Sequence, residues 1–155
     1  MTIHKPQPHN SGFPTTACGN PTDGGDDMNK KNLKATILLA HGSSDPHWLR
    51  PFDELLTQIR ASLQENGTRV EMAYMELAEP SLEHMVSVLA DEGYTHIDVL
   101  PLFFAAGRHL RVDVPRQIDA LQKEHLVLLT LLAPVGLEPE VARAIGSVVV
   151  RQLNM

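Results

Sequence analysis

The sequence predicts a single three-layer α/β domain, a four-stranded parallel sheet flanked by helices, and three observations carry that prediction. Four short apolar runs alternate with four amphipathic stretches between residues 36 and 153. The first and last runs are almost unbroken in apolar character, as strands buried on both faces of a parallel sheet are. No linker or repeat interrupts the alternation, and 155 residues are enough for one well-buried core but not for two.

Taken in order, the first strand is Thr36–Ala40 (TILLA), which stops abruptly at His41-Gly42. Phe52, Leu55, Leu56, Ile59 and Leu63 then keep the spacing of one helix face, and Asn66-Gly67 supplies a stop. Trp48 and Phe52 are expected to cover the first loop and the sheet edge. The second strand is Val70–Met75 (VEMAYM). Leu82, Met85, Val86 and Leu89 repeat the helical pattern, with Pro80 at the expected first helical position and Gly93 beyond the end. The third strand is Ile97–Phe104 (IDVLPLFF), followed by a shorter helix around Pro115 that carries Val114, Ile118 and Leu121. The fourth is Val127–Ala133 (VLLTLLA), and a last helix is entered through Glu138-Pro139. Val141, Ala142, Ile145, Val148, Val149 and Leu153 form the apolar face of that helix. Crossovers between parallel strands are right-handed, so this order returns each helix to a face of the sheet.

The folded domain is expected to span residues 33–155. Residues 1–30 read as a disordered tail, because their Pro, Gly, Thr, Asn and Asp content cannot bury enough surface to offset ordering entropy. The tail lacks the apolar centre of a secretory signal, and Met28 is a plausible alternative start. His4 and His9 within it have nothing to fix them as a metal site.

Composition removes several classes of function. The net charge of −6 argues against a nucleic-acid or anionic-membrane surface. No apolar run approaches the roughly 18–20 residues of a membrane span. A single cysteine, Cys18, excludes an internal disulfide and a thiolate metal cluster, and the expected location is cytoplasmic. There is no G-x-G-x-x-G, phosphate loop or Gly-x-Ser-x-Gly, so dinucleotide, nucleoside triphosphate and esterase readings lose their anchors.

In an open parallel sheet the C-terminal ends of all strands share one edge, and ligands bind there. His41-Gly42-Ser43 follow the first strand, Glu76 the second, and Ala105-Ala106-Gly107-Arg108-His109 the third. Two imidazoles and a carboxylate on one edge suit a divalent first-row metal, and the imidazoles can also serve as bases near neutral pH. Each histidine taken singly could be an ordinary loop residue. Arg108, Arg111 and Arg116 cluster around His109, which suggests carboxylate or phosphate groups on a ligand. Solvated charges at a helix start would look the same. His84, His96 and His125 read as surface residues, and His47 as a loop residue.

LLAHGSSDPHWLRPF, MELAEPSL and VLPLFFAAGRHLRVDVP resemble, in that order, the three motifs of the small CbiX-type sirohydrochlorin chelatases. The resemblance covers residues 35–150 and leaves the tail without a counterpart. It implies a chelatase-like fold and a class II chelatase activity: insertion of a divalent metal into sirohydrochlorin without ATP. Cobalt is expected first and iron or nickel as alternatives, serving cobalamin or sirohaem synthesis. The resemblance places the metal-binding, catalytic histidines at His41 and His109, with a supporting metal role for Glu76. Ser43, Arg108, Arg111 and Arg116 are the expected substrate contacts. The metal is then a substrate, no cofactor is permanently bound, and a homodimer is implied. Two rival readings stand beside it: a non-catalytic metal or tetrapyrrole carrier, and a phosphoryl-group hydrolase using His41 and the arginines.

Overall fold

The structure is a computed structural model that describes residues 32–63 and 67–155. The tail predicted at residues 1–30 and the helix stop at Asn66 lie outside the described residues. The chain runs β1 (Lys34–Ala40), α1 (Pro46–Leu63), β2 (Arg69–Tyr74), α2 (Leu82–Asp91), β3 (His96–Pro101), α3 (Val114–His125), β4 (Leu128–Leu131) and α4 (Pro139–Leu153). A π turn at His109–Asp113 leads into α3, and a 3-10 turn at Val135–Leu137 leads into α4.

The sheet order is β2-β1-β3-β4 and every pairing is parallel. The chain therefore steps from β1 outward to β2, then crosses back to add β3 on the other side of β1. That reversal makes the ends of β1 and β3 a topological switch point, where helices leave on opposite faces and a crevice opens.

Alternate residues of β1 face opposite cores. Ile37 and Leu39 pack with Val86, Leu89, Ile97, Val99, Val114 and Leu121 beneath α2 and α3. Leu38 joins Val70, Met72 and Tyr74 beneath α1, which contributes Leu49, Phe52, Leu56, Ile59 and Leu63. Each fully buried side chain of this kind contributes about 1.5–3 kcal/mol. Phe52 sits edge-on to Tyr74 at 6.5 Å and against Trp48 at 4.7 Å, so the two aromatics cover the loop and the β2 edge as expected. Burial, reinforced by the Asp53 carboxylate, pushes the Tyr74 phenol up from its ordinary pKa.

Four local expectations need correction. Ladder pairing of β3 ends at Pro101 rather than Phe104: after one more bond, from the Leu102 N–H to Leu39 O at 2.8 Å, the chain leaves the sheet. Pro80 is not the first residue of α2; Ser81 caps that helix by accepting the His84 N–H at 3.2 Å, and the helix begins at Leu82. β4 is not buried on both faces. It is an edge strand whose Leu129 lies in the core while Leu128 is 51% exposed. Finally, α4 buries none of its residues, although its apolar face predicts a packed helix.

Candidate functional site

The β1–β2 ladder continues past the last residue of β1. Met75 N–H donates to Ala40 O at 2.9 Å and Glu76 N–H to His41 O at 3.0 Å, so the His41 backbone is held by the sheet itself. The chain must then turn sharply. Gly42 does so at φ +96°, where a Cβ would lie 1.9 Å from Glu76 O. Only glycine fits a left-handed turn that close to another backbone. The Phe103 ring, from the loop after β3, packs edge-on against the His41 imidazole at 4.3 Å and 65°.

Ser43 and Asp45 build the entry to α1. Ser43 Oγ accepts the Asp45 N–H at 3.1 Å, and Asp45 Oδ1 accepts the His47 N–H at 2.9 Å. Such local bonds favour caps and turns.

His109 opens the π turn, a form of helix that recurs at functional sites. Its Nδ1 lies 2.9 Å from Asp113 Oδ2. With the carboxylate ionised, Nδ1–H donates and Nε2 keeps its lone pair, the tautomer a metal ligand needs.

His41, Met75 and His109 line two adjoining cavities at this edge. The smaller, about 120 Å³, is closed by Phe103, Ala105, Gly107 and Leu110. The larger, about 320 Å³, adds Glu76, Asp113, Val114 and Gln117. The fold thus brings together His41, Glu76 and His109 from three strand ends. Among the described residues no three His, Cys, Asp or Glu side chains are disposed to form a metal cage, so Glu76 shares the cleft without completing one.

Ser43, Arg108, Arg111 and Arg116 do not line either cavity. The three arginines are exposed, and among the described residues none of them forms an ion pair. His47 and His84 are exposed, and His96 bonds Thr95 Oγ1 at the opposite sheet edge. Asp113, Met75 and Phe103 are site residues that the sequence reading missed. The four-residue step from His109 to Asp113 was the available signal for the first.

A parallel four-stranded sheet between helices, with its cleft at the β1/β3 switch point, defines an open α/β domain that binds its ligand at the strand ends. The model of the CbiX family matches residues 35–152, and the chain belongs to that family. The crystal structure of a CbiX protein from Marinobacter aquaeolei VT8, assigned to cobalamin (vitamin B12) biosynthesis, superposes with a TM-score of 0.68 at 44% identity, over 78% of this chain and 98% of that one. The sirohydrochlorin cobaltochelatase of Sulfurisphaera tokodaii is 28% identical over 71% of this chain and 86% of its own length. The sirohydrochlorin chelatase SirB from Bacillus subtilis subspecies spizizenii, solved in complex with cobalt, shares the fold with a TM-score of 0.63 at 24% identity. That match spans 74% of this chain and 48% of SirB.

Proposed function

We propose that this chain is an enzyme that inserts a divalent metal ion into sirohydrochlorin without ATP, with Co²⁺ as the first substrate and Fe²⁺ or Ni²⁺ as alternatives. The observation that carries the proposal is the convergence of His41 and His109, from the ends of β1 and β3, on one cleft in a member of a family whose curated relatives are sirohydrochlorin cobaltochelatases.

Metallation requires three things of a protein. The ion must be partly stripped of water, presented to one face of the ring, and surrendered as two ring N–H protons depart. His41 and His109 hold the incoming ion through exchangeable Nε2 bonds and accept those protons as the ring nitrogens take over. Asp113 keeps His109 in the correct tautomer. Glu76, in the same cleft, sets a carboxylate beside the ion. Sirohydrochlorin carries eight carboxylates, and Arg108, Arg111 and Arg116 anchor them from the rim; Ser43 offers its hydroxyl proton from the first loop. The macrocycle is larger than the cleft of about 320 Å³ and overhangs it, which supports a homodimer.

Residues 33–155 act as the chelatase domain. The protein works in the cytoplasm, in cobalamin synthesis or, with iron, in sirohaem synthesis. Among the described residues no helix is long and apolar enough to cross a membrane.

The test is anaerobic absorbance of sirohydrochlorin with Co²⁺, with and without the protein. Protein-dependent acceleration is expected. Spectral shifts that saturate at one macrocycle per site, without turnover, would make the protein a carrier instead.

A further inference from the structure

A separate cavity of about 250 Å³ runs along the outer edge of β2 and shares no lining residue with the metal cleft. Its floor is the strand itself. β2 is an edge strand, so alternate residues turn their backbone polar groups away from β1. Two of those groups are engaged: Val70 O accepts the Arg60 Nε–H at 3.0 Å, and the Tyr74 N–H donates to Pro80 O at 2.9 Å. The polar groups of Met72, midway between them in the alternation, turn the same way.

The charges around the cavity do not balance. Arg60 is spent on Glu71, Nη2 to Oε2 at 2.5 Å. Arg69, outside the cavity, is shared between Glu71 and Glu92. Asp53 of α1 and Glu79 of the loop before α2 pair with no cation among the described residues. Glu79 Oε2 accepts the Ser81 N–H at 2.9 Å, which leaves its charge unmatched.

Exposed carboxylates are ordinarily just solvated; the buried phenol beside them is not. Tyr74 is 4% exposed, and its ring stands edge-on to Phe52. Its hydroxyl nevertheless makes no hydrogen bond among the described residues, and the side chain lines the cavity. Buried tyrosine hydroxyls usually find a partner, and leaving one unpaired is costly. The Asp53 carboxylate opposes ionisation of this phenol, so the two groups address the same space.

The rest of the wall is apolar, from Leu49, Leu56, Met72 and Met85. The carboxylates repel an anion. Among the described residues no three His, Cys, Asp or Glu side chains converge to hold a metal ion. A primary ammonium on a short alkyl chain meets every requirement: a positive charge, three N–H donors and an apolar body. The volume falls below the roughly 300–1,000 Å³ of sites for drug-sized ligands, which limits that body to a few carbons.

We infer that the β2-edge groove is a second ligand site that takes a primary aliphatic ammonium ion, with Asp53 and Glu79 as its charge partners and the Tyr74 hydroxyl as a hydrogen-bond acceptor.

The probe is n-butylammonium chloride, titrated calorimetrically into the full chain at constant ionic strength with no metal or tetrapyrrole added, so the result is independent of the chelatase reading. Saturable binding of one ion per chain is expected. Tyr74→Phe keeps the ring against Phe52 and removes only the hydroxyl. It and Asp53→Asn should each weaken binding about tenfold, whereas His109→Ala should leave it unchanged. Tetramethylammonium has the charge without the donors and should also bind about tenfold more weakly. Should Tyr74→Phe fail to fold, Asp53→Asn on the exposed side of α1 decides the matter. Absence of saturation, an affinity that neither substitution alters, tetramethylammonium binding as well as the primary amine, loss of binding in His109→Ala, or displacement of the amine by Mg²⁺ at equal ionic strength would overturn the inference.

Discussion

His41 and His109 reach the same cleft by opposite means. The first is placed by backbone: its carbonyl is tied to Glu76, Gly42 turns the chain where no side chain fits, and Phe103 braces the ring. The second stands in an exposed turn and is oriented by one side-chain bond to Asp113. One imidazole is thus positioned by the sheet, the other by a local contact. Damage to the support of the first should register in the whole domain, and damage to the support of the second in the chemistry alone.

The largest effect removes the comparison altogether. His41→Ala and His109→Ala are each expected to reduce cobalt insertion to the spontaneous rate while circular dichroism stays that of the wild type. Full activity in both variants would sink the assignment of the ligands. Gly42→Ala comes next and acts at the level of the sheet. The positive φ alone costs about 1–3 kcal/mol, and the clash with Glu76 O adds to it, so denaturant unfolding should show lower stability together with lost insertion. A variant as stable as the wild type would mean that His41 is not held by its backbone.

Asp113→Ala sharpens the contrast from the other side. Loss of the bond to His109 should weaken Co²⁺ binding by about 10–100-fold with the unfolding midpoint unchanged. Nitrogen NMR of the imidazole would see His109 shift from the Nδ1–H tautomer toward Nε2–H. Unaltered tautomer and affinity would leave Asp113 a surface residue. The smallest effect is expected of Phe103→Leu, which keeps an apolar side chain, somewhat smaller, and discards the edge-on contact, worth about 0.5–1.5 kcal/mol for an aromatic pair. Insertion should slow only a few-fold, and a larger loss would mean that the ring does more than brace His41.

Much of this arrangement was legible in the sequence. The near-continuous apolar run of β1 and its stop at His41 identify a buried strand feeding the ligand edge. The helical spacing from Phe52 to Leu63 sets out α1, and the strand–helix alternation implies which ends share an edge. The Asp113 contact was not legible, because it depends on His109 opening a π turn, and composition does not announce that local geometry. Pro80 misled for a simpler reason: a proline is equally at home just before the cap, and Ser81 is the better acceptor for a free helical N–H. The apolar patterns of β4 and α4 predicted a burial that the described chain does not supply, since Leu128 is exposed and α4 buries none of its residues. What a single sequence does not reveal is whether the covering surface comes from the same chain.

The pairing of β1 with β3 also ties metal binding to folding. Lys34 lies opposite His96, with β2 and α2 between them in the chain, so this contact closes a long loop, as slow steps in folding do. Until it forms, the two imidazoles follow strands that have not met, and no partly folded chain presents both at once. An ion held by the two together binds the completed sheet alone. Saturating Co²⁺ should therefore raise the thermal midpoint in proportion to the logarithm of its concentration over its dissociation constant, and by this linkage the chain's own stability becomes a gauge of the metal around it.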